Sequence, residues 1–132
     1  MSSSLILILG AVVILLTLAV RLSLRKRSMM QVHPRELTAE EIKHGSLVLL
    51  DVRTVREHRE GHIRGSVHIP LHELRDRLKE LERYRERRIL CYCQSGSRSI
   101  SAALLLKKKG FTVANLSGGI SEWNYQQLRQ QR

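Results

Sequence analysis

The amino-acid sequence predicts an α/β fold, a parallel sheet flanked by helices, preceded by one N-terminal transmembrane helix. Two observations support this fold class. In the last hundred residues, short β-capable segments alternate with helix-like segments, which is typical of a parallel sheet covered by helices. The first twenty residues carry no charged side chain, although the 132-residue chain has a net charge of +11.

The apolar run "LILILGAVVILLTLAV", Leu5–Val20, predicts the membrane helix. With the preceding serines the uncharged stretch is long enough to cross a hydrocarbon core of about 30 Å at about 1.5 Å per residue. We therefore expect a transmembrane anchor at residues 1–22, in contact with the membrane through residues 5–20. A cleaved signal peptide is the alternative, but it favours positive charge before the apolar run and a small-residue cleavage site after it.

The basic residues follow the apolar run instead: Arg21, Arg25, Lys26 and Arg27. The positive-inside rule then places residues 21 onward in the cytoplasm. A simple stop-transfer flank explains the same charges. We expect a single-pass membrane protein with a basic linker at residues 23–36 and a cytoplasmic domain at residues 37–128.

The first half of that domain is predicted to contain two helical segments and two strands. Thr38 with Glu41 has the spacing of a capping box, and Gly45 ends this short helix. The run "LVLLDV", residues 47–52, indicates a buried strand. The segment "VREHREG" is helix-like, and "SVHIP" indicates a short strand that ends at a proline.

The second half repeats the alternation. The segment "LHELRDRLKELE" predicts an amphipathic helix, with Glu73 and Arg77 four residues apart and four leucines on one face, Leu71, Leu74, Leu78 and Leu81. The segments "RILCYC" and "FTVANL" indicate strands. Between them "SISAALLLKKKG" predicts a helix that ends at Gly110, and "SEWNYQQLRQQ" predicts a final helix.

The composition narrows the function classes. Basic residues outnumber acidic ones in the domain, but they are scattered among acids, as in "ELERYRERR", and we expect no nucleic-acid partner. The chain has two cysteines, Cys91 and Cys93, too few for a disulfide framework. Such a pair in a cytoplasmic domain is typical of reduced or reactive thiols.

The stretch "CYCQSGSRS" places one of these thiols where a strand ends and a helix begins. A loop of small residues can turn its backbone N–H groups inward, and the helix N-terminus adds partial positive charge. Both effects lower the pKa of a thiol. We therefore predict Cys93 as a nucleophile within an anion-binding loop formed by Gln94, Ser95, Gly96, Ser97 and Arg98. Cys91 lies inside the strand and is predicted to be core, with a redox role as the alternative.

Other polar residues receive structural interpretations. Asp51 and Arg53 follow a strand and are expected to brace the loop or to pair with Glu57. His58 and His62 have the spacing of a zinc pair, but Gly61 interrupts their helix and we predict no metal. We expect His62 to satisfy backbone groups of its turn.

Three motifs in the right order resemble the single-domain rhodaneses. The segment Cys93–Ser99 resembles that family's Cys-x-x-Gly-x-Arg loop. The segment "DVRTVREHREGHIRGSVHIP", from Asp51 to Pro70, resembles its Asp-x-Arg…Gly-His-Ile…Ile-Pro signature, and "LSGGISEW" resembles its Gly-Gly-x-x-x-Trp ending. The resemblance covers about Leu37–Gln127.

This resemblance implies a sulfurtransferase that moves a sulfane sulfur, for example from thiosulfate, through a persulfide on Cys93. Cyanide, a small thiol or an acceptor protein would then take the sulfur, with no cofactor. The backbone from Gln94 to Arg98 would stabilise the persulfide, and Arg98 would bind the anionic donor or orient the loop. The small loop residues are permissive, so the donor stays open.

Two other functions remain open. Cysteine phosphatases of related architecture use five residues between cysteine and arginine, whereas four separate Cys93 from Arg98 here. The other alternative is a membrane-tethered persulfide carrier or protein-interaction module with little small-molecule turnover.

Overall fold

The computed structural model describes residues 3–27, 29–43 and 45–131. An N-terminal helix precedes alternating strands and helices. The helices are α1 (Ser3–Arg27), α2 (Ala39–Lys43), α3 (Val55–Glu60), α4 (Arg98–Lys108) and α5 (Gly119–Gln130). The strands are β1 (Gln31–Val32), β2 (Leu47–Asp51), β3 (Val67–His68), β4 (Arg88–Tyr92) and β5 (Val113–Leu116). Two 3₁₀ helices lie at Pro34–Glu36 and Leu78–Tyr84.

The five strands form one parallel sheet in the order β1-β5-β4-β2-β3. Strand β4 is central: Cys91 is opposite Leu50 on β2 and opposite Asn115 on β5. The carboxyl ends of these strands therefore lie at one edge, where open α/β sheets bind their ligands. The predicted α/β class and parallel sheet are confirmed.

Alternate residues of the central strands face two hydrophobic layers, as the two-residue period of a strand requires. On one face Leu50, Ile89 and Cys91 pack with α4 residues such as Leu106. On the other face Leu49 and Leu90, among others, pack with Ile120 of α5. Both faces of the sheet are covered, which explains the continuous apolar runs of β2 and β4.

The helix predicted in "LHELRDRLKELE" is wrong as an α-helix. Residues 71–77 form turns and Leu78–Tyr84 is a 3₁₀ helix, held by bonds such as Glu80 N–H to the Arg77 carbonyl at 3.1 Å. Leu74 and Leu81 are nevertheless fully buried, and Arg77 Nη1 donates to Glu73 Oε2 at 2.8 Å. The four leucines of the predicted apolar face do pack in or against the core, but this packing overrides the α-helical propensity of the segment.

The segment predicted as a linker, residues 23–36, contains the end of a helix and an edge strand. Helix α1 continues to Arg27, and Gln31–Val32 pairs with β5 as an edge strand. The backbone N–H of Asn115 donates to the Met30 carbonyl at 2.9 Å, and Met29 is buried. This part of the predicted linker therefore belongs to the folded domain.

Helix α1 is the candidate membrane span. Its residues Ser3–Leu24 are long and apolar enough to cross a bilayer, and none of this apolar stretch is buried in the protein. A signal sequence near the N-terminus has the same properties. The anchor at residues 1–22 and the boundaries of the domain at residues 37–128 stay predictions.

Candidate active site

The loop predicted to carry the chemistry lies at the carboxyl edge of the sheet. Strand β4 ends at Tyr92, Cys93 follows directly, and α4 begins at Arg98. The first turn of α5 fixes the start of this loop, since Ile120 N–H donates to the Cys93 carbonyl at 2.9 Å. Ser121 N–H donates to the Gln94 carbonyl at 3.2 Å, and the Gln94 amide donates to Ser121 Oγ at 2.9 Å.

The sulfur of Cys93 lies inside a ring of hydrogen-bond donors. Gly96 N–H is 3.1 Å from Sγ, and Ser99 Oγ is 3.4 Å from it. Burial of this fully enclosed residue acts to raise the pKa of the thiol, but donors from Ser99, Gly96 and Ser95 outweigh that effect and lower the pKa of Cys93. The loop therefore favours a thiolate.

The loop geometry depends on glycines. Gly96 has φ +98°, in the left-handed region that other residues resist. Gly119 also has positive φ, and a Cβ there would overlap the Cys93 carbonyl oxygen. Gly119 thus lets α5 approach the loop closely enough to cap its carbonyls, while a Cβ at Gly118 would overlap Glu122 of α5 itself.

Arg98 does not point freely at the sulfur. Its Nη1 and Nη2 bind the two oxygens of Glu57 on α3 at 2.9 and 2.6 Å. Thr54 N–H and Oγ1 donate to the same carboxylate at 3.0 and 2.9 Å. These contacts, Arg98 above all, lower the pKa of Glu57 to about 2. The ion pair with Glu57 of α3 therefore holds the Arg98 side chain beside the Cys93 loop.

Asp51 and Arg53 form a buried pair beside this loop. Arg53 Nη2 and Nε donate to the Asp51 carboxylate at 2.8 and 3.0 Å, with exposed fractions of 3% and 0%. Arg53 also donates to the Gly61 carbonyl at 2.7 Å and to Gln94 Oε1 at 3.4 Å. The two residues pair with each other and Arg53 contacts the loop, while Glu57 pairs with Arg98 instead.

Three histidines on and near α3 lie beside the Asp51–Arg53 pair: His58, His62 and His68. His58 Nδ1 is 2.9 Å from Asp51 Oδ2, and its ring stacks on those of His62 and His68. His62 Nδ1 is 3.1 Å from the His58 carbonyl, so it contacts the backbone of its turn as predicted. Among residues 3–27, 29–43 and 45–131, no group of three His, Cys, Asp or Glu is arranged to hold a metal.

Cys91 faces the hydrophobic layer below the loop and is fully buried. Burial first, and the neighbouring Cys93 second, raise the pKa of this thiol. The prediction that Cys91 is a core residue is confirmed by this position. Burial therefore favours the neutral form of the Cys91 thiol, whereas the loop donors favour ionisation of Cys93.

Two buried polar residues of this site were not predicted. Ser99, the second residue of α4, and Asn115 of β5 are 0% and 1% exposed, and their polar atoms contact each other. Asn115 also donates to the Gly96 carbonyl at 3.3 Å. A hydroxyl directly after Arg98 was the only sequence signal for Ser99. Nothing in the pattern "FTVANL" distinguished Asn115 from a residue that ends a strand.

Two small polar clefts, each of about 350 Å³, open on either side of the loop. One lies between α3 and α5 and is lined by residues including Arg53, Glu57 and Gln94. The other is lined by Gly96, Ser97 and Asn115, with Gln31 of β1 at its border. Residues of the loop line both clefts, while the Cys93 sulfur itself stays buried between them; the inward N–H groups of the loop can stabilise negative charge on that sulfur.

Comparison with known proteins agrees with this geometry. Residues 34–126 match the family described as "Rhodanese-like domain". The chain is 46% identical over 79 residues to the "Putative sulfur carrier protein YrkF" of Bacillus subtilis (strain 168), which covers 59% of this chain and 42% of that protein. It is 36% identical over 78 residues to a "Sulfurtransferase" of Allochromatium vinosum, covering 58% of this chain and 71% of the relative.

The fold is shared with solved structures. The crystal structure of a rhodanese-related protein from Thermoplasma volcanium superposes with a TM-score of 0.66 and 33% identity, covering 74% of this chain and 92% of that one. The family match spans most of the chain and includes strands β2 to β5, the loop at Cys93 and the first turn of α5, while β1 lies just before it. The chain therefore belongs to the rhodanese family.

Proposed function

We propose that this protein is a membrane-anchored sulfurtransferase that carries a sulfane sulfur as a persulfide on Cys93. The observation that carries the proposal is the environment of Cys93 Sγ, which receives Gly96 N–H at 3.1 Å and has a lowered pKa despite complete burial. A thiolate is the form that attacks a sulfur electrophile. The relationship to sulfurtransferases supports the same chemistry.

The reaction has two steps. The Cys93 thiolate attacks the outer sulfur of a donor such as thiosulfate, the donor's S–S bond breaks, and sulfite leaves with the bonding electron pair. An acceptor, a small thiol, cyanide or the thiol of an acceptor protein, then attacks the terminal sulfur of the persulfide. The Cys93–S bond breaks and the thiolate forms again, which is a ping-pong sequence without a cofactor.

The loop supplies electrostatic stabilisation in both steps. Backbone N–H groups of Ser95, Gly96 and Ser99 stabilise the thiolate, and those of the Gln94–Arg98 loop would stabilise the terminal persulfide sulfur in the same way. Arg98, held by Glu57, places a permanent positive charge at the entrance, where an anionic donor arrives. Glu57 shares that charge, so Arg98 orients the loop and guides the donor rather than serving as an open anion site.

The proposal for the location of the protein is based on helix α1. We propose that Ser3–Leu24 spans the membrane and that the basic residues after it keep the rhodanese domain on the cytoplasmic side. Proteolysis of inside-out and right-side-out vesicles tests this arrangement. Digestion of the domain in right-side-out vesicles would contradict it, and loss of the first residues from the mature chain would indicate a signal sequence.

A persulfide carrier is the second candidate. The likeness to a protein described as a putative sulfur carrier favours it. In this case loading of Cys93 occurs, but release needs an acceptor protein. The two functions share the persulfide and differ in turnover.

Intact-mass measurement of the full-length protein in detergent tests the proposal. After incubation with thiosulfate we expect the mass of one added sulfur atom, lost again on treatment with cyanide or a thiol. Cys93→Ser removes the added mass, whereas Cys91→Ala, at a buried cysteine two residues earlier on β4, keeps it. Absence of the added sulfur with thiosulfate and with other sulfane donors would overturn sulfur transfer, and an aryl phosphate would then test the phosphatase alternative.

A further inference from the structure

The hydroxyl of Ser99 lies between two hydrogen-bond acceptors and has one proton to donate. Its Oγ is 3.4 Å from Cys93 Sγ and within hydrogen-bond distance of Asn115 Oδ1. Ser99 and Asn115 are both buried, so bulk water does not supply a replacement donor. The proton of Ser99 can serve the sulfur or the amide oxygen, but not both.

The orientation of the Asn115 amide decides between them. Its Nδ2 donates to the Gly96 carbonyl at 3.3 Å and to Gln31 Oε1 at 2.9 Å. A turned amide would set its oxygen against the Gly96 carbonyl, which only accepts. Asn115 Oδ1 therefore faces Ser99 and, being a carbonyl oxygen, accepts the hydroxyl proton.

This arrangement suits a Cys93 thiol, whose S–H can donate to a lone pair of Ser99 Oγ. A thiolate keeps its backbone donors, Gly96 N–H among them, and gains the Ser99 hydroxyl as a further donor only if it receives the Ser99 proton. To supply it the hydroxyl must rotate towards Sγ, which leaves Asn115 Oδ1 buried without its donor at a cost in free energy. Ionisation of Cys93 is therefore coupled to the hydrogen bond between Ser99 and Asn115.

We propose that Asn115 is a positioning residue that competes with Cys93 for the Ser99 proton, and that Gln31 of β1 holds Asn115 in this orientation. The competition sets how readily Cys93 ionises, and through Gln31 it ties the nucleophile to the strand that follows α1. The inference rests on the proposed function only in taking Cys93 as the nucleophile. The ionisation itself can be measured without any sulfur donor.

Other charged or titratable groups approach Cys93 from the packed elements and stay constant in the experiment. Arg98 on α4 favours the thiolate, and Glu57 on α3 offsets part of that charge. Cys91 on β4 is a neutral thiol, and the Asp51–Arg53 pair reaches the loop through Gln94. Asn115 also contacts the loop through the Gly96 carbonyl, so the Ser99→Ala background is needed to separate an effect on the Ser99 proton from an effect on the loop.

The test is the pH dependence of iodoacetamide alkylation of Cys93 in the full-length Cys91→Ala protein. Asn115→Leu frees the Ser99 hydroxyl for the sulfur, and we expect the midpoint to fall by about 0.5 to 1 pH unit, the size of one net hydrogen bond. Ser99→Ala is expected to raise it. In the Ser99→Ala background, Asn115→Leu should change nothing further, because the competing proton is gone.

The proposal is overturned if Asn115→Leu leaves the midpoint unchanged or raises it, or if its shift persists without Ser99. Should Asn115→Leu fail to fold, the exposed Gln31→Leu decides: a smaller fall of the midpoint supports the proposal, and an unchanged or raised midpoint contradicts it. Failure of every variant to accept sulfur would contradict the proposed function, while the alkylation midpoints would still decide this inference.

Discussion

Arg98 and Glu57, 41 residues apart in sequence, form a two-point ion pair at the entrance to the Cys93 loop. The pair joins the last residue of the loop to the capped first turn of α3. Thr54 donates two hydrogen bonds to the Glu57 carboxylate, so Glu57 is held in place and in turn holds Arg98. The loop geometry therefore depends on a helix that carries none of its residues.

The first prediction concerns this pair. Glu57→Gln removes the charge that orients Arg98, and we expect the rate of persulfide formation with thiosulfate to fall about tenfold, as for loss of a charge-assisted hydrogen bond. Glu80→Gln, which breaks an exposed ion pair with Arg77 far from the loop, is the matched control. Equal rates for the two variants would show that Glu57 does not orient Arg98.

The same ion pair gives stability a pH dependence. Glu57 has an ordinary pKa of 4.5 when unfolded and about 2 when folded, so its contribution is complete above 4.5 and is lost as pH falls towards 2. We expect the difference in Tm between the wild type and Glu57→Gln to shrink across that interval. A difference in Tm that stays constant from about pH 6 to about pH 2.5 would contradict the lowered pKa of Glu57.

The lowered pKa of Cys93 predicts selective alkylation. The rate with iodoacetamide should reach half its maximum below pH 9.0, the ordinary value of the thiol, while Cys91 reacts only after unfolding. Peptide mass mapping at several pH values measures both cysteines in one sample. Modification of Cys91 in the folded protein at a comparable rate would refute this prediction.

The buried Asp51–Arg53 pair supports the sheet edge. Arg53→Met leaves Asp51 with its His58 and Tyr92 contacts but without its cationic partner, and we expect the free energy of unfolding to fall by about 3 kcal/mol. Urea denaturation measures the loss. The double variant Asp51→Asn, Arg53→Met should recover part of it, because no unpaired buried charge remains; a further additive loss would argue against a charge effect.

Two truncations test the place of β1. Removal of residues 1–27 keeps Met29 and the pairing with β5, so we expect a cooperative transition near the wild-type Tm. Removal of residues 1–36 exposes the core that Met29 and Val32 cover, and the Tm should fall by about 10 °C or more. Similar melting curves for the two truncated proteins would show that β1 adds nothing to stability.

Much of the fold followed from local pattern. The apolar runs of β2 and β4, the helix that ends before Gly110 and the loop at Cys93 all appear where the sequence predicts them. These elements have strong local signals: buried strands have continuous apolar residues, and helix ends carry glycine.

Elements defined by distant partners were not predictable in the same way. Strand β1 is two residues long with one buried side chain, so its existence depends on β5 rather than on its own pattern. The 3₁₀ helix at Leu78–Tyr84 shares its leucine spacing with an α-helix. Contacts such as Arg98–Glu57 and Ser99–Asn115 join residues whose types are common in solvent-exposed positions, so composition does not distinguish them.

The position of β1 also has a consequence for the order of folding. Its partner β5 is the last strand of this sheet in chain order, so the edge of the sheet beside the Cys93 loop closes only after nearly the whole domain has left the ribosome. Pairing between such distant segments is slow because a long loop must close first. If α1 enters the membrane during synthesis, the nascent domain must therefore assemble beside the bilayer. Strand β1 then stays unpaired until β5 has been synthesised.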